Sequence, residues 1–211
     1  MNPAVDPSSA STTAATAASS RPTRPPRWST RDLLVTAVIG VAFGVLLVPF
    51  TYTYAAMQAG GVSGRAAAGG LFFLPAAFTA YVMRKPGAMV LVGLISGLLA
   101  VPFIPFGLVV VAISVLTTAL GEPFAWLITR YRHFSLVRMA VLGLAVGLVE
   151  FLLIAFGIRA TRLEPLILVA AVLVSGLAFM VAAVVGKSLA DAVARTGVLS
   201  NTPLGRTPED V

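Results

Sequence analysis

Two carboxylates stand within stretches that are otherwise apolar, Glu122 and Glu150. A charged side chain in hydrocarbon costs about 2.5–3.5 kcal/mol on insertion scales, so each glutamate needs a partner, a proton, a water-filled cavity or a ligand. Glu150 falls ~22 Å along its helix from the cytoplasmic start, in the outer half, within reach of an external substrate. Glu122 falls ~12 Å from the cytoplasmic end of its own helix, which Arg130 marks. Pro123 follows it and removes a backbone donor, which frees a carbonyl. For both glutamates the competing reading is a pairing with an arginine or a backbone group for packing alone.

Aromatic and polar residues gather at the outer end of the same apolar segments. Tyr52, Tyr54 and Gln58 close the first of them, and Phe72, Phe73, Phe103 and Phe106 fall in the outer halves of the next ones. Aromatics at this depth are commonly interfacial belt residues. Grouped beside Gln58 and below Glu150, they also outline a pocket for a flat polar ring, where an aromatic cation gains stacking and cation–π attraction. Gly60, Gly61, Gly64, Gly69 and Gly70 predict a flexible external loop, either a lid over that pocket or a loose connector. Gly40 and Gly44, spaced i, i+4, give the first segment a small-residue face for close approach by another helix, of this chain or of another subunit.

Several chemistries are excluded. With no cysteine, disulfides, thiolate metal sites and cysteine catalysis are ruled out. The single histidine, His133, lies in an Arg-Tyr-Arg-His turn and reads as a loop residue. Neither a nucleophile–base pair nor a metal-binding cluster is visible, so an enzyme is the least supported class. There is no Walker-type phosphate loop either, and any ATP hydrolysis belongs to another chain.

The elements that must position these residues follow from composition. Apolar residues make up 58% of the chain and charged ones only 11%, against roughly a quarter charged in a soluble domain. Mean hydropathy is +0.95. Runs near the ~20 residues needed to span a bilayer predict an all-α membrane protein of about six transmembrane helices. They begin at Asp32, at Gly70 (with an extension back towards Gly60), at Gly87, at Leu108, at Ser135 and at Leu166, with Trp28 as an interfacial anchor and Trp126 as another. Residues 1–27 read as a disordered cytoplasmic tail, 28–195 as the six-helix domain and 196–211 as a flexible cytoplasmic tail. With both ends inside, all but three of the fifteen Lys and Arg residues fall on the cytoplasmic side, the exceptions being Arg65, Arg159 and Arg162. The basic balance of +7 is therefore topological and not a nucleic-acid signal.

The run from Gly70 to Ala88, GLFFLPAAFTAYVMRKPGA, resembles the second-helix signature of YkoE-like proteins. These are substrate-binding S components of energy-coupling-factor (ECF) transporters, associated with thiamine and its hydroxymethylpyrimidine precursor. Tyr81 with Arg84, Lys85, Pro86, Gly87 and Ala88 is the most specific piece. Trp28 to Leu33, Val41 to Val45, and Gly121-Glu122 ahead of Arg130 to Phe134 add support. The resemblance covers about residues 28–187. It implies a six-helix S component, N-in and C-in, in a bacterial cell membrane, that binds a vitamin near the outer face and hydrolyses nothing. The energising partners are a transmembrane T component, which Gly40 and Gly44 would face, and two ABC-type ATPases. No cofactor is implied. Members of that family often carry an acidic residue on the third helix; here Met89 to Gly97 has none.

The expected ligand is then thiamine or hydroxymethylpyrimidine. Glu150 or Glu122 accepts hydrogen bonds from its aminopyrimidine or balances a thiazolium charge, Tyr52, Tyr54, Phe73 and Phe103 supply aromatic contacts, and Gln58 gives polar recognition. Two alternatives stand beside this. One is a stand-alone proton-coupled carrier with the two glutamates as relay; the other is a non-transporting scaffold in which both are structural.

Overall fold

The computed structural model describes residues 28–104, 107–157, 164–199, 202 and 204. The 1–27 tail, most of the 196–211 tail, Phe106, Arg159 and Arg162 lie outside the described residues. Among those described, the chain is all-helical: α1 (Thr30–Met57), α2 (Gly61–Met83), α3 (Ala88–Ala100), α4 (Leu108–Thr129), α5 (Leu136–Gly157) and α6 (Pro165–Arg195). Among the described residues, four stretches are long and apolar enough to cross a membrane: Thr30–Met83, Leu108–Thr129, Leu136–Phe156 and Pro165–Arg195. The first, 54 residues long, holds α1 and α2 in succession, and Ala88–Phe103 is a shorter apolar helix.

The start of α1 is fixed by local chemistry. Ser29 accepts from the Asp32 N–H while the Asp32 carboxylate accepts from the Ser29 N–H, a reciprocal cap for two otherwise unsatisfied donors. The same Asp32 oxygen meets Lys85 Nζ at 2.5 Å. Trp28 Nε1 donates to the Pro86 carbonyl at 3.2 Å. The entry to α1 is thereby tied to the turn between α2 and α3.

The helices form a ring in the order α1, α3, α4, α5, α6, α2, and α2 leans inwards so that it touches all five others, α6 most extensively. This matches its sequence, which is apolar all round from Phe72 to Met83 and almost wholly buried there. Opposite faces of α1, α4 and α6 stay exposed as rows of Leu and Val, the surface that lipid solvates.

One expectation is corrected. The extension of the second helix back towards Gly60 is present, so Gly61 to Gly70 belongs to α2 and is not a flexible loop; the connector is the single 3₁₀ turn Gln58–Gly60. Ala66, Ala68 and Gly70 are buried, and a Cβ on Gly70 would stand 2.6 Å from the Ala178 carbonyl oxygen. The small residues serve close packing of α2 on α6, and that packing outweighs glycine's low helix propensity. α6 runs unbroken for 31 residues, from Pro165 to Arg195.

Gly40 and Gly44 both face α3 of the same chain. A Cβ would sit 2.7 Å from Ile95 Cγ2 at Gly40 and 2.6 Å from Leu99 Cδ2 at Gly44.

Candidate ligand cavity

Glu150 is 5% exposed, on the inward face of α5. Thr117 of α4, also buried, donates its hydroxyl to Glu150 Oε1 at 2.6 Å. The other oxygen, Oε2, is buried and has no hydrogen-bond partner. A buried polar atom left unpaired costs about 1–3 kcal/mol, and more when it is charged. The fold keeps this one next to a cavity of about 230 Å³.

Five helices build that cavity. α2 supplies Arg65, Ala66, Gly69 and Phe72, residues on one face at helical spacing. Ile113 and Thr117 come from α4, one turn apart, and Glu150, Phe151 and Ile154 from α5. Ser175 and Phe179 come from α6 and Tyr54 from the end of α1. Tyr54 packs edge-on against Phe72 with centroids 5.6 Å apart. Ser175 turns its hydroxyl to the Gly147 carbonyl at 3.0 Å, so its donor is already used. Arg65 is half-buried and donates from Nη2 to Gln58 Oε1 at 3.0 Å across the 3₁₀ turn. The lining is thus aromatic and aliphatic, with one carboxylate and one guanidinium. Such a lining has the chemistry to stack flat rings and to orient them through few polar groups.

Of the residues singled out from sequence, Glu150, Tyr54, Phe72 and Gly69 line this cavity, and Gln58 touches it through Arg65. Phe73 stands one layer behind, fully buried, with its ring stacked on Phe179 at 5.3 Å. Tyr52 and Phe103 are exposed outside the cavity lining, and the Tyr52 hydroxyl donates to the Phe103 carbonyl at 3.2 Å.

Glu122 is not among the residues that line this cavity. Its carboxylate accepts from the Met89 N–H at 2.9 Å, in the first turn of α3, and from the Tyr131 hydroxyl. Burial, and then the adjacent Glu122, push the Tyr131 hydroxyl well above the usual tyrosine range, so it stays a donor. This carboxylate already has its partners and joins the end of α4 to α3. A second polar knot joins α2 to α6: the Tyr81 hydroxyl donates to Asp191 Oδ1 at 2.7 Å, and Lys187 Nζ meets Asp191 Oδ2 at 2.6 Å.

Sequence reasoning left Thr117, Arg65, Ser175, Phe151 and Phe179 out of the site. Thr117 carried no signal in one sequence, because a threonine in a membrane helix usually bonds its own backbone, as Thr118 beside it does with Ser114. Arg65 did carry one, as a lone cation within an apolar stretch on the side otherwise poor in arginine.

Comparison with known proteins agrees with this architecture. The family model described as ABC-type cobalt transport system, permease component, matches residues 31–149. The Bacillus subtilis (strain 168) protein named "Putative HMP/thiamine permease protein YkoE" is 28% identical over 185 residues, covering 85% of this chain and 91% of that one. A solved structure described as "Crystal structure of an S-component of ECF transporter" superposes with a TM-score of 0.75 at 25% identity, covering 85% of this chain and 92% of that chain. With a packed ring of apolar helices and a family match over more than half its length, this chain belongs to the ABC-type cobalt transport system permease component family and is a multi-pass S component of an ECF transporter in a bacterial cell membrane.

Proposed function

We propose that this S component captures a thiamine-related aminopyrimidine, hydroxymethylpyrimidine or thiamine itself, from outside the cell. The ligand sits in the cavity beside Glu150, near the outer face. The chain crosses the membrane six times with both ends in the cytoplasm, and a T component with two ABC-type ATPases supplies the energy for release. The S component itself hydrolyses nothing.

The observation that carries this reading is Glu150 Oε2, a buried acceptor without a donor, beside an aromatic-lined cavity. An aminopyrimidine brings the missing N–H donor and a flat face for Tyr54, Phe72 and Phe179. The name of the B. subtilis relative supports the same ligand class. The donor set favours an organic ligand over a metal ion. Among the described residues no three His, Cys, Asp or Glu side chains come together, and a guanidinium shares the cavity with the one carboxylate.

Thermal stabilisation of the purified protein by thiamine, hydroxymethylpyrimidine and a panel of unrelated vitamins tests this. A ligand selective for the folded state adds RT ln(1 + [L]/Kd), about 2.7 kcal/mol at a hundredfold excess over Kd. A shift confined to the pyrimidine compounds and lost in Glu150→Gln is the expected result. No shift with either compound, or an equal shift in Glu150→Gln, overturns it.

A further inference from the structure

The cavity holds two opposite ionisable side chains that do not meet. Glu150 enters it from α5 and Arg65 from the first turns of α2. Glu150 commits one oxygen to Thr117, and Arg65 commits one nitrogen to Gln58. Among the described residues the ion pairs are Lys85–Asp32 and Lys187–Asp191, and neither involves Glu150 or Arg65. Opposite charges facing one space of low dielectric attract strongly, and joining them would also satisfy Glu150 Oε2. The fold holds them apart: Gln58, fixed on the 3₁₀ turn, retains the guanidinium, and Thr117 retains the carboxylate. Gln58 uses only one of the five N–H donors of the guanidinium.

Resting on the reading of this cavity as the substrate site, we propose that it is built for a two-ended ligand, whose N–H end meets Glu150 and whose oxygen acceptor is read by Arg65. Arg65 is then a specificity-determining residue, and Gln58 positions it. In an aminopyrimidine alcohol the ring amino group answers Glu150 and the hydroxymethyl oxygen answers Arg65. A site that hydrogen-bonds a substrate oxygen discriminates strongly against the analogue lacking it, because the polar group of the protein is then left unpaired.

The test compares two probes, hydroxymethylpyrimidine and the same aminopyrimidine with a methyl in place of the hydroxymethyl group, by calorimetric titration of the purified full-length protein. Wild type should bind the alcohol at least ~10-fold more tightly, the lower end for a hydrogen bond to a charged group. In Arg65→Gln the two affinities should converge to within about threefold, with the methyl analogue bound as well as before. Gln58→Ala should narrow the ratio without erasing it. Glu150→Gln should weaken both probes equally and leave the ratio intact. Melting temperatures of the ligand-free variants check that each is folded, and Arg65→Lys, which keeps a donor, should retain part of the preference. A wild-type ratio near one, or a ratio unchanged in Arg65→Gln while Glu150→Gln still loses both probes, overturns the role of Arg65 and leaves the aminopyrimidine reading in place. Binding of neither probe by wild type overturns the role of Arg65, and if thiamine does not bind either it overturns the aminopyrimidine reading as well.

Discussion

Thr117 and Glu150 meet across the α4–α5 interface at 2.6 Å, and their bond satisfies only half of the carboxylate. The hydroxyl points Oε1 away and leaves Oε2 as an acceptor with nothing to accept from. Thr117 thus sets which oxygen of the glutamate is paired and which is left open.

Glu150→Gln should weaken ligand binding about 10- to 150-fold, the equivalent of a hydrogen bond to a charged group at roughly 1.5–3 kcal/mol. The ligand-free variant should melt no lower than wild type, since an amide is cheaper to bury than an unpaired carboxylate. A ligand-free protein destabilised by the amide would assign Glu150 a structural role.

Thr117→Val should lower both stability and affinity. It removes the donor to Oε1 and leaves both carboxylate oxygens unpaired, at a cost of about 1–3 kcal/mol. Paired with Glu150→Gln in a double-mutant cycle, its effect should shrink. Additive effects in chemical unfolding would show that the 2.6 Å contact contributes nothing.

Gly44→Ala should destabilise the isolated protein by about 1–3 kcal/mol through overpacking on α3, because the new Cβ falls 2.6 Å from Leu99. Leu99→Ala in the same chain should recover part of the loss. If Gly44→Ala melts like wild type and fails only in assembly with a T component, the glycine serves the partner and not α3.

Tyr131→Phe gives a pH-dependent signature. Tyr131 is held protonated in the fold by burial and by Glu122, whereas an unfolded tyrosine ionises near ~10. A raised folded value stabilises fully below that pH, and the contribution falls as pH rises above it, because the unfolded chain then binds fewer protons. Wild type should therefore be more stable than Tyr131→Phe at neutral pH, and the gap should close above pH ~10. A gap that is constant from pH 7 to 11 in thermal melts would rule out the Tyr131–Glu122 bond as its source.

Much of the fold was legible because lipid imposes simple rules. Apolar runs of spanning length and the placement of Arg130 set helix positions close to those observed for α1, α3, α4 and α5. The start of α2 was less clear. Glycine at Gly60, Gly61 and Gly64 reads as a breaker in water, yet in a membrane bundle it is a packing residue, and only the position of the Ala178 carbonyl shows which applies to Gly70. The two glutamates looked alike in sequence. What separates them is tertiary: Glu122 meets the Met89 N–H 33 positions away, while Glu150 meets a single hydroxyl. Phe73 and Phe72 are neighbours in sequence, but a helix turns adjacent side chains about 100° apart, so one lines the cavity and the other backs it.

The inward lean of α2 has a bearing on biogenesis. Its largest contact surface lies on α6, and the Tyr81–Asp191 bond spans 110 residues of chain. At ribosomal elongation rates that distance represents roughly 5–20 s. For that interval α2 sits in the bilayer with its small-residue face uncovered, and the cavity lacks the wall that Ser175 and Phe179 will form. The nascent chain consequently passes through a half-open bundle, and the last helix to be synthesised is the one that closes it.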